Sequence, residues 1–194
     1  LLEAGAYRVT TITKSAEFAL INVNDLSTDL YAKGRKFPSE SVAGILRGLA
    51  ENKERLVFSA LETSNATSIT LVDKSSRDTL WQKKENFVFK PLVMTKDGTI
   101  YFLKYDPDRK QTIVMLIDTT DTFQELTRLE LASEPQVMLL SSTGLFALGL
   151  QDGSVVIMTQ DGGQNTAFQA AYSPISAMSF STDGKYLAVA SEER

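Results

Sequence analysis

An all-β fold of repeated four-stranded units is what this sequence predicts, and three observations carry the prediction. The first is a recurring turn: "TKDGTIYFL" at 95–103, "SSTGLFALGL" at 141–150 and "STDGKYLAVA" at 181–190 each place a polar turn with Gly ahead of an apolar run. Their glycines, Gly98, Gly144 and Gly184, lie 46 and 40 residues apart, and "ENKERLVFSAL" at 51–61 is an earlier copy with Lys53 in place of Gly. Glycine suits such a turn because one residue must take a positive φ that a side chain makes costly. The second observation is another marker about 20 residues after each turn. The runs "FALINVND", "SITLVDKS", "IVMLIDTT" and "VVIMTQDG", aligned on Asn24, Asp73, Asp118 and Thr159, keep intervals of 49, 45 and 41 residues. The third is that each unit divides into four short β-type runs. A period of 40 to 49 residues with four strands per unit is the signature of β-propeller blades, whose antiparallel sheets pack face to face around an axis.

The elements follow in order. "AYRVTTIT" reads as a second strand, and a third and an outer strand follow by residue 38. The next unit runs "GILRGLAE", "RLVFSALE", "SITLVDK", "TLWQKKE"; the third runs "VFKPLVMT", "TIYFLKY", "QTIVMLID", "FQELTRLEL"; the fourth runs "PQVMLLS", "LFALGL", "SVVIMTQ", "NTAFQAAY". Inner pairs are nearly continuous in apolar residues because a blade buries both faces, whereas outer strands alternate and carry charge. The chain closes on an inner and a second strand only. The approximate blades are 1–40 (partial), 41–86, 87–134, 135–172 and 173–194 (partial), together one propeller domain or a part of one. Seventeen strands result, close to the sixteen of a closed four-bladed ring; because four blades would force a tight curvature, the expectation is a segment of a larger propeller, with the closed ring, its terminal strands sharing one blade, as the alternative. In "SESVAGILRGLAENK", Val42, Ile45, Leu46 and Leu49 also fit helical spacing, with Ser39 as a possible N-cap after Pro38. Two interior glycines and the repeat register favour an inner strand there.

At 194 residues, 43% hydrophobic and 23% charged, the chain has the apolar content to bury a core. A net charge of −4 lacks the broad basic footprint of non-specific nucleic-acid binding, and "KGRKF" at 33–37 reads as a solvated loop. No run approaches a membrane span, and "LLEAGAYRVT" lacks the features of a signal peptide. Leu1 stands where Met would begin a native chain, which points to an N-terminus upstream or removed. "NATS" at 65–68 is formally a glycosylation acceptor but reads more simply as a polar turn.

The last unit, "SPISAMSFSTDGKYLAVASEE", resembles the first half of a WD repeat, of the form "V..L.FSPDG..LA.GS.D". "LFALGLQDGSVVIMTQDGG" is similar to that family's "LA.GS.DG.V.IWD...G", with Asp152 and Gly153 at the turn from second to third strand. Histidine is absent, so the family's Gly-His pair has no counterpart, and its Trp-Asp pair survives only as Val72-Asp73 and Ile117-Asp118. The resemblance is to a degenerate WD-type propeller. Locally, "SITLVDKSSRDTLWQKK" at 68–84 is similar to the repeat of quinoprotein-like propellers, with Trp81 on the outer strand.

The residue types present restrict the chemistry. Without His or Cys there are no disulfides, no metal sites built on those ligands, and no Ser-His-Asp or Cys-His nucleophile. In "YDPDRK", Asp106 and Asp108 offer oxygens for calcium, yet no further acidic ligand follows in a loop-like register. "QDGGQN" at 160–165 joins two strands rather than a strand and a helix, which is not a phosphate loop. No catalytic, cofactor or metal site is expected. The expectation is a non-enzymatic scaffold that binds protein partners, or further blades of its parent chain, within a larger assembly. The alternative is a sugar- or quinone-handling propeller enzyme. Candidate partner contacts are Asp106, Arg109 and Lys110 in a loop expected to share a face with Gln151–Gly153, and Tyr105 and Tyr172 as aromatic anchors.

Overall fold

The computed structural model describes residues 7–12, 17–22, 27–32, 35–36, 42–62, 66–85, 89–106, 109, 111–117, 122–131, 133–163 and 165–192. Among them the secondary structure is entirely β, in antiparallel strands. They are β1 (Tyr7–Ile12), β2 (Glu17–Asn22), β3 (Ser27–Ala32), β4 (Arg35–Lys36), β5 (Val42–Ala43), β6 (Ile45–Glu51), β7 (Arg55–Leu61), β8 (Thr67–Asp73), β9 (Thr79–Glu85) and β10 (Phe89–Met94). The series continues with β11 (Ile100–Asp106), β12 (Gln111–Ile117), β13 (Phe123–Glu130), β14 (Pro135–Leu140), β15 (Leu145–Leu150), β16 (Ser154–Thr159), β17 (Asn165–Gln169), β18 (Ile175–Phe180) and β19 (Leu187–Ser191). Three sheets take four strands in sequence order, β6-β7-β8-β9, β10-β11-β12-β13 and β14-β15-β16-β17. By compactness the chain divides into residues 1–98 and 99–194.

In the first unit, the sheet β6 to β9 shows the burial that its composition predicts. All of Leu56–Ala60 in β7 and Thr67–Val72 in β8 is buried, whereas β9 alternates. Burying Phe58, Leu56 and Ile69 removes large apolar side chains from water, each worth about 1.5–3 kcal/mol. The segment with helical spacing is a strand: Ile45 pairs with Leu61 and Glu51 with Leu56, across a bulge between Leu46 and Gly48. Gly48 has a packing reason, since a Cβ there would sit 3.0 Å from Leu92 Cγ. A bare backbone at that point lets β10 close onto β6.

The first sheet holds more strand than its sequence announces. β1, β2 and β3 are the three predicted strands, but Arg35–Lys36, expected as part of a solvated loop, forms β4 on β3, and β5 pairs with the other end of the same β3 edge. The edge of β3 carries backbone donors and acceptors that neighbouring chain can satisfy. Pairings two residues long leave no periodicity to read, which is why nineteen strands stand among the described residues where seventeen were expected. Ser39 and Asn24 lie outside the described residues, as do Asn65, Asp108 and Asp118.

The second unit repeats the plan. Phe102, Phe146, Leu148 and Val155 are fully buried, and the Tyr101 and Phe146 rings meet edge-on at 4.9 Å. β18 packs on β14 and β15. There a Cβ on Gly149 would lie 2.6 Å from Ile175 Cγ2, so this glycine is a socket for the next inner strand. Matched by hairpin register, Ala188 and Ala190 of β19 stand where Ala147 and Gly149 stand in β15. Both alanines are exposed.

One turn device recurs. Thr95–Gly98, Ser141–Gly144, Thr159–Gly162 and Ser181–Gly184 each close with the glycine N–H donating to the carbonyl of the first residue, at 2.9 to 3.3 Å. The glycines have φ of 95°, 80°, 77° and 71°, as the turn reading requires. In all four turns the first side-chain hydroxyl also reaches the third side chain: Thr95 Oγ1 donates to Asp97 Oδ1, Ser141 Oγ lies 2.9 Å from Thr143 Oγ1, Thr159 Oγ1 donates to Asp161 Oδ1 at 2.5 Å, and Ser181 Oγ donates to Asp183 Oδ1 at 2.6 Å. Where Lys53 replaces glycine, Asn52 does this work instead, its Oδ1 accepting from the N–H groups of Glu54 and Arg55 at 3.0 and 2.8 Å.

Candidate functional site

Antiparallel hairpins alternate between the two ends of a sheet, so the turn from second to third strand shares an end with the connection leaving the outer strand. In the second unit the register makes this concrete. Asp106 pairs with Gln111, and Gln111 pairs with Glu130, so the ends of β11, β12 and β13 line up. Just beyond, the Ser133–Glu134 connection is bonded to the turn of the following sheet. Gln151 N–H donates to the Glu134 carbonyl at 2.9 Å, and Asp152 N–H donates to Ser133 Oγ at 3.1 Å. The same turn then ties down the connection after β17, because the Gly153 carbonyl accepts from the N–H groups of Ala170 and Ala171 at 3.1 and 3.0 Å. Gln169 Nε2 adds a bond to the Asp152 carbonyl at 2.8 Å.

The predicted residues distribute over this end unevenly. Asp106 accepts from the Arg109 N–H at 3.2 Å and lies 3.9 Å from its Nε, with the Arg109 side chain 72% exposed. That geometry explains both residues as one tethered turn, a cation held outward over its own carboxylate. Tyr105 is half-buried on β11, opposite Thr112. Tyr172 is 98% exposed, on the connection that Gly153 holds. Lys110 lies outside the described residues. The structure therefore brings Tyr172 beside the Gln151–Gly153 turn, and joins that turn through Ser133–Glu134 to the strand ends that carry Asp106 and Arg109.

Gly153 is indispensable to this arrangement. Its φ is 86°, and a Cβ would drive into the Ala171 carbonyl. Burial raises the Asp152 carboxyl, but the Ser154 hydroxyl and amide and the Ser133 hydroxyl more than offset this and hold it below the usual aspartate value. Asp152 Oδ1 accepts from the Ser154 amide at 3.0 Å and from the Ser154 hydroxyl at 2.6 Å, which makes the turn ionised and polar. Among the described residues no group of three or more Asp and Glu side chains gathers as metal ligands would. Sequence reasoning missed Glu134 and Gln169, which act through a backbone carbonyl and a side-chain amide. Neither role leaves a residue pattern.

No family profile matches the chain, and no curated protein matches it. Solved structures do. The β-propeller domain of Cps50 (Swd1) from Myceliophteria thermophila superposes with a TM-score of 0.68 at 12% identity, over 100% of this chain and 64% of that one. The Dos1 propeller superposes at 0.62 with 15% identity, over 94% of this chain and 51% of its own length. Sqt1 from Chaetomium thermophilum superposes at 0.58 with 17% identity, over 77% and 41%. The chain thus spans roughly two fifths to two thirds of the length of these proteins. Its fold is that of a β-propeller in four-stranded antiparallel blades.

Proposed function

We propose that this chain is a non-enzymatic protein-interaction module, part of a larger propeller, whose contacts include the strand-end surface of its second unit. The observation that carries this is Tyr172. An aromatic side chain 98% exposed on a connection fixed by main-chain hydrogen bonds is an anchor held ready at little entropic cost. Arg109, out in solvent above Asp106, supplies the cation that interfaces favour, with Lys110 next to it in sequence and Tyr105 behind. The likeness to WD-type propellers supports the reading at the level of fold. Membership of a larger propeller is supported by the share of the matched propellers that the chain spans, 64% of one and 51% of another.

A photo-crosslinker placed at position 172, with the same group at Arg77 on the opposite strand ends of another sheet as control, tests the proposal. Partner proteins should be captured at 172 and not at 77, and Arg109→Ala should reduce that capture. Equal capture at both positions, or capture indifferent to Arg109, would sink it.

A further inference from the structure

The outer strands are the edges of these sheets, and two of the three four-stranded sheets guard theirs with charge. β9 carries Lys83, Lys84 and Glu85, with Lys84 Nζ on Glu62 at 2.9 Å. β13 carries Glu125 and Arg128 in a two-pronged pair at 2.6 and 2.8 Å, and then Glu130. Such charges keep foreign strands from pairing with an open edge. β17 has none, and no charged residue occurs anywhere from 162 to 182. Thr166 to Ala170 are all exposed, and Phe168 shows 45% of its surface.

The geometry of that edge is specific. Because Ala170 N–H bonds to the Gly153 carbonyl, the alternation of an antiparallel ladder turns the backbone groups of Phe168 and Thr166 inward. The N–H and C=O of Ala167 and Gln169 then face away from β16. Ala167 pairs with Val156, and the two share a sheet face with a cavity of about 150 Å³. Leu129, Leu131 and Val156 give it apolar walls, and Arg128 and Glu130 stand exposed around it. Ala167 is too small to fill that space. A residue added opposite Ala167 would put its side chain on the same face, over the cavity.

We propose that the β17 edge accepts an extended peptide segment of a partner protein as an added strand, with one bulky apolar side chain seated beside Ala167 in this cavity. Exposed main-chain groups specify an extended backbone, the mode in which ladder hydrogen bonds give affinity and a pocket gives specificity. The volume matches a benzene-sized group, so the anchor is Leu, Ile or Phe. Arg128 and Glu130 line the cavity together, so its rim has one charge of each sign and favours an uncharged anchor. The inference rests on the chain being an interaction module, but it uses a different surface from Arg109 and Tyr172.

The test is a display library of random linear peptides selected against the whole chain, followed by binding measurements on the enriched sequences made synthetically. Enriched peptides should share one Leu, Ile or Phe within an uncharged alternating stretch. Ala167→Lys should weaken them about tenfold or more, and N-methylation of the anchor residue's amide should do the same without altering the protein. Arg109→Ala and Tyr172→Ala should leave their affinity unchanged. No enrichment, or binding that survives both Ala167→Lys and N-methylation, would overturn the proposal. Loss of crosslinking at position 172 would leave it standing, so the two readings fail separately.

Discussion

Thr112 shows how a single atom can be out of place in a well-made sheet. Its side chain is fully buried on β12 and its hydroxyl has no hydrogen-bond partner, a condition shared by Ser59 and Thr67. A buried donor without a partner forfeits what it gave up in water, about 1–3 kcal/mol. Thr112→Val keeps the shape and removes the orphan, so it should raise stability by about 1 kcal/mol, read as a higher midpoint in urea at unchanged m-value. Gly153 is the opposite case, where no side chain fits at all. Gly153→Ala should cost about 1–3 kcal/mol and should loosen the connection that carries Tyr172, visible as faster amide exchange at Ala170 and Ala171. The turn glycines were legible in the sequence because polar residues surround them at a fixed spacing. Gly153 sits in the equally legible "QDGS". The orphan hydroxyls were not legible, since a buried Thr in a strand reads like any β-branched residue.

At the scale of strands and sheets, the socket at Gly149 governs how one blade receives the next. Gly149→Val would overfill the space that Ile175 and the methyl of Met178 occupy, at a cost of about 1–3 kcal/mol. Exchange should accelerate across β18 and β19 while β14 to β17 keep their protection. Uniform acceleration in both sheets would show that Gly149 is not a local joint. Every full blade was legible from the repeat because its strands are long, apolar and evenly spaced. β4 and β5 were not, because pairing by backbone alone carries no side-chain signature. The candidate site divides in the same way. "YDPDRK" marked Asp106 and Arg109 through composition, while the link from β13 to the Gln151 turn runs through main-chain atoms that any residue supplies.

Over the whole molecule, acid sensitivity should follow from the turns. Asp161 and Asp183 are held below the usual aspartate value by the hydroxyls of Thr159 and Ser181 and by backbone amides, Asp73 by the amides of Ser76 and Ser75, and Asp152 by its bonds to Ser154 and Ser133 despite its burial. A carboxyl whose folded pKa is lowered stabilises the fold fully above its unfolded pKa, about 4, and loses that contribution as pH falls through the folded value. Thermal melts should therefore be flat from neutrality down to about pH 4 and fall steeply below it, and Asp161→Asn should soften that fall. Steep loss of stability above pH 5 would contradict this account.

The socket also sets a direction in time. A glycine on the second strand of a finished sheet waits for an isoleucine that the chain supplies about 25 residues later, and Gly48 waits for Leu92 in the same way. Each sheet buries its apolar strands against its neighbours, and a sheet already seated on its predecessor offers its remaining face to the successor as a template. A chain leaving the ribosome from its N-terminus meets those templates in the order in which it needs them. Synthesis and folding can then run in one sequence, sheet upon sheet, without waiting for the last residue.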